Sequence, residues 1–390
     1  MRYRVNPKTG DRLSLLGLGC MRFTKKNGAI DQEKAEQVMA HALAQGINYF
    51  DTAWLYPGNE AAVGRFLAKG HRDEVVLATK MPQYKVKKTA DFDGFFGEEL
   101  ERLQTDYIDY YLMHMLSDFA SWQRLKDLGV AAWIEAKKAA GAIRRIGFSY
   151  HGGTDGFLRI LDDYDWDFCQ IQYNYVDERG QAGVDGLKRA AEKGIAVVIM
   201  EPLRGGRLAD QIPEKAAEVF RKAGGTPAEW GLKWLFAQEE VTVVLSGMNS
   251  VGQIDENAAI AEKTETGALS GEELAVYEDA KAAIRSGVKV PCTGCGYCMP
   301  CPHGVDIPTC FHSYNTKASE GWYTGLKEYF MCTTMKQKPS AASACVGCGK
   351  CEKHCPQRLP IRRHLKEVKK HMEGPAYKIA RRGARLIMRF

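Results

Sequence analysis

Between Leu13 and Gly247 two rhythms alternate along the chain. Short runs rich in Val, Ile and aromatic residues end at Cys20 ("LSLLGLGC"), Asp51 ("INYFD"), Lys80 ("VVLATK") and His114 ("IDYYLMH"). Further runs end at Ser149 ("IRRIGFS"), Tyr173 ("FCQIQY"), Met200 ("AVVIM") and Gly247 ("VTVVLSG"). Between them lie stretches such as "DQEKAEQVMAHALAQG" and "AAWIEAKKAAGA", whose apolar positions recur at helical spacing and which stop near a glycine. Eight strand–helix alternations predict an α/β fold, a (β/α)8 TIM barrel rather than a doubly wound sheet. Barrel chemistry sits at the C-terminal ends of the strands, which puts Asp51, Lys80, His114, Ser149 and Gly247 on one rim. Taken singly, a strand-end Asp is usually a cap and a lone His a satisfied core residue. Their shared rim position is what carries the functional reading.

After about residue 255 the pattern becomes helical, and "SGVKVP" punctuates a boundary. The expected organisation is a barrel over 1–285, a small helix-rich domain over 286–365 and a basic tail over 366–390. With 390 residues, 45% hydrophobic and 26% charged, the chain is long enough for a large core and a second, smaller one. The N-terminus lacks a long apolar segment with a cleavage site, and no stretch approaches the length of a membrane span, so a reducing cytoplasm is the expected setting. The net charge of +6 equals the charge of residues 366–390, so nothing outside the tail resembles a nucleic-acid surface.

Twelve cysteines change the picture, because eight of them sit in two cassettes. That clustering favours metal ligation over a disulfide framework. Cys345, Cys348, Cys351 and Cys355, followed by Pro356, form C-x2-C-x2-C-x3-C-P, the bacterial ferredoxin run for [4Fe-4S] cubanes. A structural zinc site more often uses two separated C-x2-C knuckles. Cys292, Cys295, Cys298 and Cys301, followed by Pro302, nearly repeat the run, with x2 where x3 is usual before the last cysteine. In the ferredoxin pattern the fourth cysteine crosses to the other cluster. One cluster then takes Cys292, Cys295, Cys298 and Cys355, and the other takes Cys345, Cys348, Cys351 and Cys301. Cys20, Cys169, Cys310 and Cys332 read as buried small hydrophobes, with Cys20 at the barrel mouth.

"GINYFDTAWLY", "VVLATK" and "YLMHM" resemble the aldo/keto reductases, and the resemblance covers residues from about 10 to 262. The C-terminal part is similar to the two-cluster, helix-rich ferredoxin domain fused to one branch of that family. The resemblance implies a catalytic tetrad of Asp51, Tyr56, Lys80 and His114. Reducing a carbonyl by hydride leaves an alkoxide that needs a proton, and a tyrosine is a useful donor when its pKa is lowered. The tetrad reads as Tyr56 acid or base, Lys80 beside it favouring phenolate, Asp51 anchoring Lys80, and His114 orienting the carbonyl.

The same resemblance points to NAD(P)H. It implies Gln170 and Ser149 as carboxamide contacts, Tyr173 near the nicotinamide ring, and "EPLRGGRL", with Pro202, Gly205 and Gly206, as the loop over the pyrophosphate. It also implies Ser246, Gly247, Gln253, Glu256 and Asn257 of "SGMNSVGQIDEN" as the adenosine end. Gly247 and Gln253 stand where many relatives carry Lys and Arg, so charge here does not favour NADPH over NADH. Ser149 is followed by Tyr150 and His151 instead of Asn. That departure leaves room for another redox cofactor, such as a flavin (FMN) whose phosphate would use the loops after the last two strands.

A hydride carries two electrons together and a cubane passes one, so a mediator must stand between them or the clusters must serve a partner. The expected protein is an iron-sulfur oxidoreductase of aldo/keto reductase type, acting on a small carbonyl or hydroxyl compound. Ferredoxin or another electron carrier is a partner suited to the clusters. The basic tail reads first as a solvated helix, with an acidic carrier or an anionic membrane surface as alternative contacts. Two rivals share the motifs: a flavin- or radical-dependent redox or lyase-like enzyme fed by ferredoxin, and an electron-transfer protein with a relic barrel. The intact tetrad argues against the relic.

Overall fold

The computed structural model describes residues 1–285, 288–292, 294, 296–355 and 357–387, without the side chains of 385–387. Eight parallel strands close into a barrel: Leu16–Gly19, Tyr49–Asp51, Val76–Met81, Ile108–Leu116, Ile143–Tyr150, Phe168–Gln172, Ala196–Met200 and Val243–Ser246. They pair in chain order, and the last returns to the first with Val244 opposite Leu16. These are the eight apolar runs of the sequence. They read as continuous rather than alternating because both of their faces are covered, one by the interior and one by helices.

Two apolar layers follow. The interior holds Tyr49, Ala78, Tyr110, Leu112, Phe168, Val198, Val243 and Leu245. An antiparallel hairpin, Tyr3–Val5 with Arg12–Ser14, inserts Leu13 into this cluster. Buried Asn6 donates to the Tyr110 hydroxyl, which itself donates to Asp11. The hairpin thus closes the end of the barrel opposite the predicted rim. The outer layer packs helices on the strands, several of them started by side-chain caps: Asp31 for Gln32–Ala44, Asp118 for Phe119–Asp127, Thr226 for Pro227–Phe236 and Ser250 for Val251–Lys263.

Packing is close where helix Asn59–Phe66 meets helix Ala90–Leu103. A Cβ on Gly64 would overlap the backbone carbonyl oxygen of Arg102 and lie 2.8 Å from Leu103. Backbone cannot swing aside as a side chain can. Gly64→Ala is therefore expected to destabilise the protein by about 1–3 kcal/mol, read as a lower midpoint in a urea titration.

A second core gathers Val290, Val305, Ile307, Phe311, Tyr329, Ile361, Leu365, Val368, Met372 and Tyr377. Its helices Ile307–Glu320 and Trp322–Tyr329 fold back on one another at Gly321, whose φ of 95° suits glycine. The structure differs from the sequence reading over the basic tail. Helix Ile361–Met372 runs across residue 366 and buries Leu365, Val368 and Met372, and Tyr377 of helix Pro375–Ile387 packs on Tyr329. The apolar positions 361, 365, 368 and 372 have helical spacing that the surrounding charges obscure. Residues 361–377 thus form a wall of the second core with their lysines outward, while Lys378, Ile379 and Ala380 are exposed, as a solvated helix would be.

The second domain lies against the open end of the barrel. The Ser117 hydroxyl donates to the Met335 carbonyl at 2.9 Å, and Lys338 N–H donates to Asp118 at 3.4 Å. Arg204 and Arg207 of the barrel pair with Glu320. Among the described residues no helix is long and apolar enough to cross a membrane.

Candidate active site and cluster sites

Strands two, three and four deliver Asp51, Lys80 and His114 to the rim. Lys80, 1% exposed, donates from Nζ to Asp51 Oδ1 and to the Thr52 carbonyl, both at 2.6 Å. Burial pushes the Asp51 carboxyl above its ordinary value while Lys80 pulls against it. The other oxygen of Asp51 accepts from Gln170 Nε2 at 3.4 Å. Gln170 therefore reaches the tetrad from across the barrel.

Tyr56 lies in the loop between the second strand and helix Asn59–Phe66. Asn59 ties that loop to the turn after the first strand by donating to the carbonyl of buried Cys20. The Tyr56 ring meets His114 edge-on, with centroids 6.1 Å apart, and Lys80 Nζ stands 5.4 Å from the ring centre. The expectation that Lys80 makes this phenol more acidic is not met. Burial raises the phenol pKa, and Asp51, Glu201 and Cys20 raise it further. The ammonium is engaged by Asp51 and Thr52 and lies under the ring, so in this arrangement Tyr56 holds its proton. His114 is driven the other way: burial, Lys80 and His151 keep its imidazole neutral.

The nicotinamide contacts expected from sequence divide into two groups. Ser149 is buried at the rim, but its hydroxyl accepts from Met115 N–H at 2.8 Å and so braces a bulge in the fourth strand where Met115 takes φ 57°. Left-handed backbone at a non-glycine residue is the kind of strain that collects at functional sites. Tyr173 does not join the rim; it packs on Trp234, centroids 5.1 Å apart, between barrel and helices. Tyr150 also points away, packing on Phe157 and donating to the Gly153 carbonyl at 2.8 Å.

The loop after the seventh strand contains buried Pro202 and left-handed Glu201, Arg204, Gly205 and Gly206 (φ 54°, 46°, 68° and 96°). A Cβ on Gly206 would meet nothing within 4 Å, which leaves its backbone open. At the eighth strand Asn257 donates to Ser246 Oγ at 3.1 Å, and Gln253 accepts from Asn249 N–H at 3.0 Å. These two side chains shape the loop, while Glu256 is exposed on the helix that follows. Sequence reasoning missed Arg22. Its side chain runs over Gly247, where a Cβ would come within 2.8 Å of it, and its guanidinium reaches Gly205. The legible signal was an Arg just beyond the first strand combined with glycines at both facing positions.

Buried polar atoms with no hydrogen-bond partner among the described residues include Thr52 Oγ1, His114 Nδ1 and Gln170 Oε1, all on residues of this rim. Buried polar groups of native proteins rarely go unpaired. With the open backbone at Gly206 and the Arg22 guanidinium beside Gly205, these atoms fit a polar, phosphate-bearing ligand such as a pyridine nucleotide.

In the second domain, Cys292, Cys298 and Cys355 line one apolar pocket with Ile307, Phe311, Leu359 and Ile361. Cys355 thus reaches the first cassette across the domain. Cys295, the remaining member of that expected quartet, lies outside the described residues, as does Pro356. Cys301, Cys345 and Cys351 border the second core, whereas Cys348 is exposed. Arg362, paired with Glu352, lies 3.4 Å from the position of a Cβ on Gly349, beside this cassette. Cys20, Cys169, Cys310 and Cys332 are buried, and burial keeps each as a thiol. Among the described residues no three His, Cys, Asp or Glu side chains group tightly enough for a single metal ion.

Residues 15–268 match the aldo/keto reductase family, and residues 291–359 match the 4Fe-4S dicluster domain. The chain is 28% identical to L-galactose dehydrogenase of Arabidopsis thaliana, over 70% of this chain and 92% of that one. It is 34% identical to protein tas of Escherichia coli K12, over 66% and 92%. Among solved structures, the holo form of aldo-keto reductase AKR11C1 from Bacillus halodurans superposes with a TM-score of 0.61 at 28% identity, covering 72% of this chain and 96% of that one. Barrel, rim and matched domains agree, and the chain belongs to the aldo/keto reductase family, as an oxidoreductase that carries a 4Fe-4S dicluster domain after its barrel.

Proposed function

We propose that the protein interconverts a small carbonyl compound and its alcohol at the barrel rim, with Tyr56 as the proton donor or acceptor, and that the dicluster domain exchanges electrons with this site. The observation that carries the reading is the juxtaposition of the Tyr56 ring with the His114 imidazole above the buried Lys80–Asp51 pair. In the reducing direction Tyr56 Oη gives its proton to the carbonyl oxygen and His114 offers an N–H to the same oxygen, while Lys80, held under the ring by Asp51 and Thr52, would have to move toward Oη to stabilise the phenolate left behind. The reverse direction runs the same transfers backwards. Bound nicotinamide would supply the hydride, and [4Fe-4S] clusters, when bound, would pass single electrons that reach the two-electron chemistry only through a mediator such as a flavin. Gln170, Arg22, Gly205, Gly206 and the 246–257 loop would hold the dinucleotide. The first cluster would sit on Cys292, Cys295, Cys298 and Cys355, the second on Cys345, Cys348, Cys351 and Cys301. Cluster thiolates need a reducing compartment, and we place the protein in the cytoplasm.

Electrons would enter at the second cassette, where Cys348 is exposed and Arg363, Lys366, Lys369 and Lys370 stand outward on helix Ile361–Met372. An acidic electron carrier suits that surface. The test is an anaerobic absorbance and EPR titration with NADH, NADPH and dithionite in turn, with iron and flavin quantified on the same sample. Cluster reduction by a pyridine nucleotide is the expected result. Reduction by dithionite alone would mean that the clusters serve a protein partner and would sink the coupled reading.

A further inference from the structure

The turn at Gly205–Gly206 is flanked by two arginines, and both are held from the other domain. Arg204, its side chain 11% exposed, donates from Nε and Nη2 to both oxygens of Asp177, from Nη1 to Glu320 Oε1, and lies 3.2 Å from His312 Nε2. Arg207 donates to Glu320 Oε2 at 2.9 Å. A single carboxylate therefore bridges the residues on either side of the two glycines. Glu320 is the last residue of helix Ile307–Glu320, where the helix dipole disfavours a negative charge. The two arginines keep it there. His312, on the same helix, pairs with Glu328 at 3.0 Å and approaches Asp177 at 3.4 Å. Burial opposes charge on His312, but Glu328 and Asp177 outweigh it and raise its pKa to about 9.

The turn needs this support. Glu201 and Arg204 both adopt left-handed backbone conformations, which a non-glycine residue keeps only where its surroundings hold it. The bonds inside the loop, Arg204 N–H to the Glu201 carbonyl and Gly206 N–H to the Leu203 carbonyl, are local and do not anchor it to the rest of the protein. Asp177 and Glu320 do, one from the barrel and one from the cluster domain. We propose that Glu320 is a positioning residue for dinucleotide binding: the cluster domain holds the Gly205–Gly206 backbone in its ligand-facing conformation and so sets the affinity of the barrel for a pyridine dinucleotide. The proposal rests on the nicotinamide reading above.

It is tested on the full-length holoprotein under anaerobic conditions, with NADH and NADPH as titrants and intrinsic fluorescence quenching as readout. Glu320→Ala is expected to raise Kd about tenfold, within the range for coupled sites, with cluster EPR spectra unchanged and faster hydrogen exchange at residues 204–208. Glu320→Gln keeps one acceptor oxygen and recovers part of the affinity. Arg207→Gln, at the more exposed partner, weakens binding in the same direction and serves if Glu320→Ala fails to fold. Dinucleotide affinity within twofold of wild type in all the folded variants overturns the proposal alone. A wild-type protein that binds neither nucleotide overturns the nicotinamide reading along with it.

Discussion

Replacing Tyr56 with Phe is expected to lower turnover by about 10²–10⁴-fold while dithionite reduces the clusters as in the wild type. The ring that meets His114 and covers Lys80 remains, so packing changes little and the loss reports the hydroxyl. Because burial and the carboxylates of Asp51 and Glu201 raise the phenol pKa, its proton stays on above the usual tyrosine range. Rates in the reducing direction should then stay flat as pH rises through about 10, where a free tyrosine would already be losing its proton. A fall in rate centred well below that pH would mean that Lys80 moves toward the hydroxyl when ligands bind. Turnover unchanged by the substitution would remove Tyr56 from the chemistry, and with it the main argument that the barrel is catalytic.

The second large effect is expected at Cys355. Cys292 and Cys298 belong to one cassette and Cys355 to the other, yet the three line one pocket against Ile307, Phe311 and Ile361. A cluster ligated from both cassettes ties the entry and exit segments of the second core together, so its loss removes a redox centre and a cross-link at once. Cys355→Ser should reduce bound iron by about half, lower the dithionite-reducible EPR signal in proportion, and reduce the melting temperature of the second domain. Cys310→Ala is the matched control. Cys310 is buried in the same core with its sulfur toward the Ser340 carbonyl, and iron content should not change. Equal iron loss in both variants would show that the domain responds to disruption of its core, not to removal of a ligand.

The barrel was legible because its strands are covered on both faces and its helices on one, so the chain alternates between continuous apolar runs and 3.6-residue spacing. That pattern also located Asp51, Lys80 and His114, since a strand end is a position in space as well as in sequence. Side-chain direction beyond the strand end was less visible. Tyr173 turned outward to Trp234, and Ser149 braces a bulge at Met115 that no periodicity predicts. Arg22 comes from a loop far in sequence from Gly205 and Gly247, and only closure of the barrel brings them together. Asp177, Arg204, His312, Glu320 and Glu328 look in sequence like ordinary surface charges. They become partners because two domains meet there, and local composition carries no record of that meeting.

The N-terminal hairpin that inserts Leu13 into the barrel interior makes the barrel a vessel with one mouth. Any ligand of the rim must therefore enter and leave by the face that the second domain partly covers. Whatever fits beside that domain can be turned over, and whatever does not is refused before any chemistry begins. On the proposed function, the footprint of the second domain would govern substrate range together with the lining of the pocket, so trimming or enlarging that domain would change selectivity without altering a residue of the tetrad.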